Sequence, residues 1–314
     1  VNRPVATLGE TMALFRSEQL GSLATVDEFR LSIGGAESNV AIGLARLGVP
    51  ARWLGRIGAD ALGHRIVREL RGENIDVRPI IDPHAPTAVM VKENSSPGRT
   101  RVTYYRAGNA GSRLAPEDLG ELDLGSASLL HVTGITPGLS PSASETVFAA
   151  LDEAVRLGIP ISFDVNHRDA VWAGRDPGPI YRRMAEHATI VFAGSDEAAH
   201  LTDLLADDDQ ARAIARLGPL HVVIKRGAHG ATALIDGILH RQAAIQVPVV
   251  DTVGAGDAFV AGYLAEFLAG RGPQALLQMA VTTGAFACLS PGDWEGFPRT
   301  SELASLAQSD PVAR

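Results

Sequence analysis

Asp251-Thr252-Val253-Gly254-Ala255-Gly256-Asp257-Ala258-Phe259-Val260-Ala261-Gly262-Tyr263-Leu264 is the most informative stretch of this 314-residue chain. It follows the strand-like run Ile245-Gln246-Val247-Pro248-Val249-Val250 and opens an apolar, helix-compatible segment. Small residues at 254, 255 and 256 let the backbone approach a ligand closely and aim N–H groups at it. The start of a helix adds roughly half a positive charge there. Together these features predict an anion hole at Gly254, Ala255 and Gly256, suited to the charge on a transferring phosphoryl group. Asp257 falls on the first turn beside it, in reach of a proton on an attacking hydroxyl. Two other readings compete. Gly254-x-Gly256 superficially matches a dinucleotide-binding turn, although its third small position is Phe259 and it lies far from the first βα unit. The stretch is also compatible with a plain tight turn and a helix-start carboxylate.

Outward from this stretch, short β-branched runs alternate with amphipathic segments, which predicts a mostly parallel sheet covered on both faces. Residues 5–8, 128–132, 161–164, 189–192 and 221–225 read as strands. Residues 36–47, 62–71 and 141–157 read as helices, with Gly48 and Gly158 as stops. A sheet of this kind presents its site at the carboxyl ends of the strands. Three polar clusters fall there: Asp164-Val165-Asn166-His167-Arg168, Gly194-Ser195-Asp196-Glu197 and Lys225-Arg226-Gly227. Two segments break the alternation. Residues 12–33 hold apolar residues without a helical period, and residues 87–106 contain two strand-like runs joined by Asn94-Ser95-Ser96-Pro97-Gly98, a hairpin pattern. We therefore expect an α/β domain from 1–11, 34–86 and 107–314, and a small β-sheet lid from 12–33 and 87–106.

A net charge of -8 argues against nucleic acid as a partner, because phosphates demand a basic patch. The single cysteine, Cys288, excludes an internal disulfide and reads as a small core residue within Ala285-Phe286-Ala287-Cys288-Leu289. Val1-Asn2-Arg3-Pro4 lacks a basic-then-apolar signal pattern, and no apolar run approaches the roughly 18 residues of a membrane helix. The expectation is a cytoplasmic protein without a membrane partner.

Near the other end, Gly34-Gly35-Ala36-Glu37-Ser38-Asn39-Val40-Ala41 opens a helix. A Gly-Gly turn there can lie under a polyol, and Asn39 can hold a hydroxyl, though alone a structural turn explains it equally. Both stretches occurring in one chain is specific. The sequence resembles the ribokinase-like (PfkB-type) carbohydrate kinases, through 34–41, 251–264 and essentially the whole length. The resemblance implies a three-layer ribokinase-like sandwich with a lid, ATP and Mg²⁺ as cosubstrates, and Asp257 as the base. It assigns Gly34, Gly35, Ser38 and Asn39 to the sugar. Lys225, Gly227, Gly230, Gly254 and Gly256 go to the nucleotide. Relatives often pair lid to lid, so a homo-oligomer is expected.

Within the family the chain is similar to the branch acting on 2-keto-3-deoxygluconate. The residues carrying this are Tyr104-Tyr105-Arg106-Ala107-Gly108, Asp164 to Arg168 with Trp172, and Gly292-Asp293-Trp294-Glu295-Gly296. An acid substrate needs cations that a neutral sugar does not. The resemblance assigns Tyr104, Arg106, Arg168 and Asp293 to the sugar acid, and Asn166 with Arg168 also to the nucleotide. Neutral-sugar kinases, and a non-catalytic binding protein on the same fold, remain alternatives. Three positions depart from the family pattern. Met90 stands where a lid Tyr is common, and His167 where a Tyr is common. Gly194-Ser195-Asp196-Glu197 keeps only the Glu of a metal-organising Asn-x-x-Glu. Glu197 is thus the candidate to reach Mg²⁺ through water, or a helix-start charge.

Overall fold

The apolar runs pair into sheets for the reason the alternation implies: each buries side chains on both faces. The computed structural model describes residues 3–96 and 99–307. In chain order its strands are β1 (Val5–Leu8), β2 (Met12–Leu20), β3 (Phe29–Gly34), β4 (Ala51–Gly58), β5 (Asp76–Asp82), β6 (Val89–Ser96), β7 (Arg99–Tyr105), β8 (Leu129–Thr133), β9 (Ile161–Asp164), β10 (Ile190–Gly194), β11 (His221–Lys225), β12 (Ala231–Ile235) and β13 (Ile238–Gln242). A nine-stranded sheet runs β13-β12-β11-β10-β9-β8-β1-β4-β5. From β5 to β11 every neighbouring pair is parallel. The chain leaves β1 toward β4 and β5 on one side and toward β8 to β11 on the other. The switch point between β1 and β8 therefore opens a crevice at the carboxyl ends.

Helices cover both faces. Ala36–Arg46, Ala255–Leu268 and Pro273–Ala287 contribute to one apolar core, while Pro141–Leu157, Gly178–His187 and Asp207–Ala215 contribute to the other. The result is the expected three-layer arrangement. Pro141–Leu157 shows why the sequence signals work. Ser140 caps it by accepting from the Ala143 N–H at 3.0 Å, Pro141 occupies the first turn, and Gly158 ends it at φ 66°. No described helix is long and apolar enough to cross a membrane.

Several elements differ from the sequence reading. β4 and β5 leave no clear strand pattern in the sequence, because Gly55, Gly58 and Pro79 interrupt them. β12 and β13 form a further hairpin, whose signal in the sequence is Asp236-Gly237, a two-residue turn with both residues at positive φ. Residues 245–250 form no strand; Pro248 has no N–H for a ladder, and Val249 and Val250 are exposed. Cys288 is half-buried at a cleft wall rather than within the core.

A second, four-stranded sheet has the order β3-β2-β6-β7, with β2 and β6 parallel and the outer pairs antiparallel. The aperiodic 12–33 segment is thus two strands. Pro97 and Gly98, read as part of the hairpin loop, lie outside the described residues. Met12, Leu14, Ala88 and Met90 form the buried face of this sheet, with Val102 and Tyr104 packed against them. Tyr105 points the other way and is exposed, as strand alternation requires.

Candidate active site

Gly254 ends the loop before Ala255–Leu268 at φ 76°, a conformation that favours glycine. A Cβ there would collide with the Asp293 carbonyl. Its first duty is to bring the turn down onto the Asp293 segment. Asp257 follows on the first helical turn and is buried. Its carboxylate accepts from Asn39 Nδ2 at 2.8 Å and from Asn166 Nδ2 at 3.3 Å. Burial pushes the Asp257 carboxyl up to about 7; the Asn39 bond pulls it down and the nearby Asp164 charge pushes it further up. A carboxylate tuned near neutrality beside a helix N-terminus is well matched to accepting a proton. Asn166 reaches it from the end of β9 with φ 38°, an uncommon backbone state for a non-glycine residue.

Lys225, at the end of β11, donates to both oxygens of Asp164 at 2.7 and 2.8 Å. Burial works against both charges, and the pairing compensates: the lysine is held above its ordinary value, although the Asp164 carboxyl still sits above its own. The Lys225 ammonium is therefore anchored, and the residue lines the cleft beside Gly256. Glu197 accepts from the backbone N–H of Gly194 at 2.6 Å and of His167 at 3.1 Å. These bonds place Glu197 at the start of a short helical turn and tie β10 to the β9 loop. His167 meets the Tyr181 hydroxyl at 2.9 Å and Asp169 at 3.0 Å, a supporting position. Arg168 is half exposed, with Nη1 on the His167 carbonyl at 2.8 Å and 3.9 Å from Glu197.

The Gly34-Gly35 turn sits under the smaller sheet. A Cβ on Gly34 would strike Met90 and the Asp293 carboxylate; one on Gly35 would strike the Glu10 carbonyl. The Ser38 hydroxyl donates to Gly35 O at 3.0 Å and is spent within the turn. Asp293 is buried, and burial pushes its carboxyl up to about 7 against the pull of Lys92. Arg106, assigned to a substrate carboxylate, is held by Glu10: Nη2 and Oε2 are 2.6 Å apart, and the guanidinium lies 5.5 Å from the Tyr104 ring. Glu10 is buried, and desolvation raises its pKa despite the arginine. Glu10, Lys92 and Asp251 were not singled out from sequence. Each is legible only through a partner distant in the chain.

The main cleft holds about 360 Å³ and runs from Lys225, Gly227 and Gly230 past Ala244 to Val249, then along Thr252, Ala255, Gly256, Phe259, Gly284 and Cys288. Residues 245–250, strand-like in sequence, supply one of its walls. Gly230, at φ 85°, could not carry a side chain against the Gln242 carbonyl, so it shapes that wall. Gly256 differs: an added Cβ would meet only Lys225 Nζ, at 3.7 Å. If the 254–256 turn receives a phosphoryl group, Gly256→Val is expected to fold normally and lower kcat about 10²-fold, with a smaller change in nucleotide affinity, because its side chain would crowd the N–H groups of that turn. Steady-state kinetics beside the nucleotide Kd check this. A change confined to Kd would assign the turn to ground-state binding.

Residues 2–299 match the family described as pfkB family carbohydrate kinase. The chain is 35% identical to a 2-dehydro-3-deoxygluconokinase of Bacillus subtilis (strain 168), over 96% of this chain and 94% of that one. The crystal structure of a PfkB protein from Polaromonas sp. JS666 superposes with a TM-score of 0.86 at 31% identity, covering 95% of this chain and 98% of that chain. A putative Ribokinase II from E. coli, crystallised in complex with ATP and Mg²⁺, has a TM-score of 0.90 at 22% identity, covering 98% and 100%, and shares the fold.

Proposed function

Because the chain belongs to the pfkB family of carbohydrate kinases, we propose that it transfers the γ-phosphoryl group of ATP to the terminal hydroxyl of 2-keto-3-deoxygluconate (2-dehydro-3-deoxygluconate). It is a phosphotransferase with an alcohol group as acceptor. The observation that carries the mechanism is Asp257, buried between two amide donors and beside the Gly254–Gly256 turn. Asp257 takes the hydroxyl proton as the oxygen attacks phosphorus, and the turn's N–H groups hold the phosphoryl oxygens. Gly34, Gly35, Asn39, Tyr104, Arg106, Arg168 and Asp293 surround the acceptor.

The cleft suits ATP in size and lining. Its volume falls at the lower end of the range of small-molecule and cofactor pockets, and apolar walls at Ile245, Val247 and Phe259 suit a flat purine. Among the described residues no group of three or more His, Cys, Asp or Glu side chains could hold a metal. Mg²⁺ would be carried mainly by the triphosphate, where it would neutralise phosphoryl charge. Each Glu197 oxygen already accepts one backbone N–H and keeps a lone pair for a metal-bound water. The smaller sheet, with residues 12–33 and 87–106, acts as a lid that excludes water. Leu20, Phe29 and Tyr105 are exposed on that sheet, which supports pairing of two copies there. The compartment proposed is the cytoplasm, where ATP is supplied.

An ADP-release screen over sugar acids and neutral sugars tests this reading. The expected result is fastest release with 2-keto-3-deoxygluconate. A wild-type preference for fructose or ribose would reject the substrate, and no release with any acceptor would reject the mechanism.

A further inference from the structure

Lys92 is an unexpected residue for its place. It lies on β6, on the same face as Met90, and is 1% exposed. Burying an ammonium group is costly, and an apolar residue of similar volume would fill the space without that cost. Its Nζ stands 2.5 Å from Asp251 Oδ2 and 3.8 Å from Asp293 Oδ1. Asp251 is the residue from which the anion-binding turn departs. Its other oxygen accepts from the Val253 N–H at 3.2 Å, and Oδ2 also takes the Gly292 N–H at 3.4 Å. Gly254 in turn packs on the Asp293 backbone. One cation from the smaller sheet thus holds both segments that fix where the turn begins.

We propose that Lys92 is a positioning residue that couples the smaller sheet to the anion hole, its ammonium group bridging Asp251 and Asp293 so that the 254–256 turn is aligned when β6 lies over the cleft. This rests on reading Gly254 to Asp257 as the catalytic turn. Without the ammonium, two acidic groups share a buried site with no cation between them. The turn then loses its register, while the purine-binding wall at 244–249 is untouched.

Lys92→Ala is expected to lower kcat about 10²-fold, the scale of a roughly 1 Å misplacement, with the ATP Kd within about twofold of wild type. Methylammonium fits the vacated site and should restore at least about tenfold of that loss saturably, whereas tetramethylammonium, too large for it, should not. Wild type should respond to neither. Should Lys92→Ala fail to fold, Lys92→Met, which keeps the stem's volume, carries the measurement of kcat against Kd. A kcat within about threefold of wild type, a parallel loss in Kd, or a loss without methylammonium rescue in folded Lys92→Ala overturns the proposal. Asp257→Asn measured alongside separates the two readings. If that variant is active, the catalytic turn itself has been misassigned; if it is inactive while the Lys92 variants are normal, only the role of Lys92 fails.

Discussion

Asp257→Asn is expected to lower kcat by at least about 10²-fold while ATP still binds, because the variant lacks the carboxylate proposed as general base. The substitution is nearly isosteric, so packing on the Ala255–Leu268 helix is kept. It also removes a carboxylate whose pKa burial has pushed up to about 7 from an ordinary 3.8. The sign of that shift gives a second readout. A carboxyl that binds its proton more tightly when folded stabilises the fold at low pH, and that contribution is lost as pH rises from about 4 to about 7. Above pH 7 the wild type therefore carries a destabilising buried charge that the variant lacks. Thermal melts should show Asp257→Asn at least as stable as wild type at pH 8, with a smaller advantage, or a deficit from mismatched amides, near pH 4. In wild type, kcat/KM should climb with pH toward a plateau above about 7, as the base must be ionised. Asp293 titrates in the same range and shares that limb. A variant with near-wild-type kcat would sink the assignment.

Arg106→Ala should reduce kcat/KM for 2-keto-3-deoxygluconate about 10- to 150-fold, the equivalent of a charge-assisted hydrogen bond worth roughly 1.5–3 kcal/mol. The KM for ATP should hardly change, because Arg106 lies against Tyr104 and Glu10 and is not among the residues lining the cleft proposed for the nucleotide. Fructose should be unaffected, since it has no carboxylate to lose. The ion pair with Glu10 shapes the experiment. Removing the arginine alone strands a buried acid, which costs stability for reasons unrelated to substrate. Glu10→Gln with Arg106→Ala removes that charge too, and must show the same discrimination between the two sugars. Equal losses on both would mean that the pair merely braces the point where the chain passes between β1 and β2. The half-exposed Arg168 would then be the remaining candidate for the carboxylate.

Local signals were enough wherever a residue's role is set by its immediate neighbours. Ser140, Pro141 and Gly158 delimit a helix because capping is a matter of adjacent backbone groups. The Gly254-Ala255-Gly256-Asp257 turn and the Gly34-Gly35-Asn39 turn were legible for the same reason: small residues before a helix create the same close approach in any fold. The alternation of strands and helices likewise dictated a parallel, two-faced sheet. Glycine and proline hid β4 and β5, whose pairing comes from burial between neighbours rather than from their own pattern. What tertiary structure alone decided is which charges meet. Asn39 reaches Asp257 across 218 positions, Lys92 reaches Asp251 across 159, and Arg106 turns to Glu10 instead of open solvent. Electrostatic partnership depends on distance and on the loss of water, and neither is written in sequence spacing. The chain by itself therefore determined a small-residue turn before a helix on an α/β sheet, while folding determined the burial and partners of Asp257 and the ties between the two sheets.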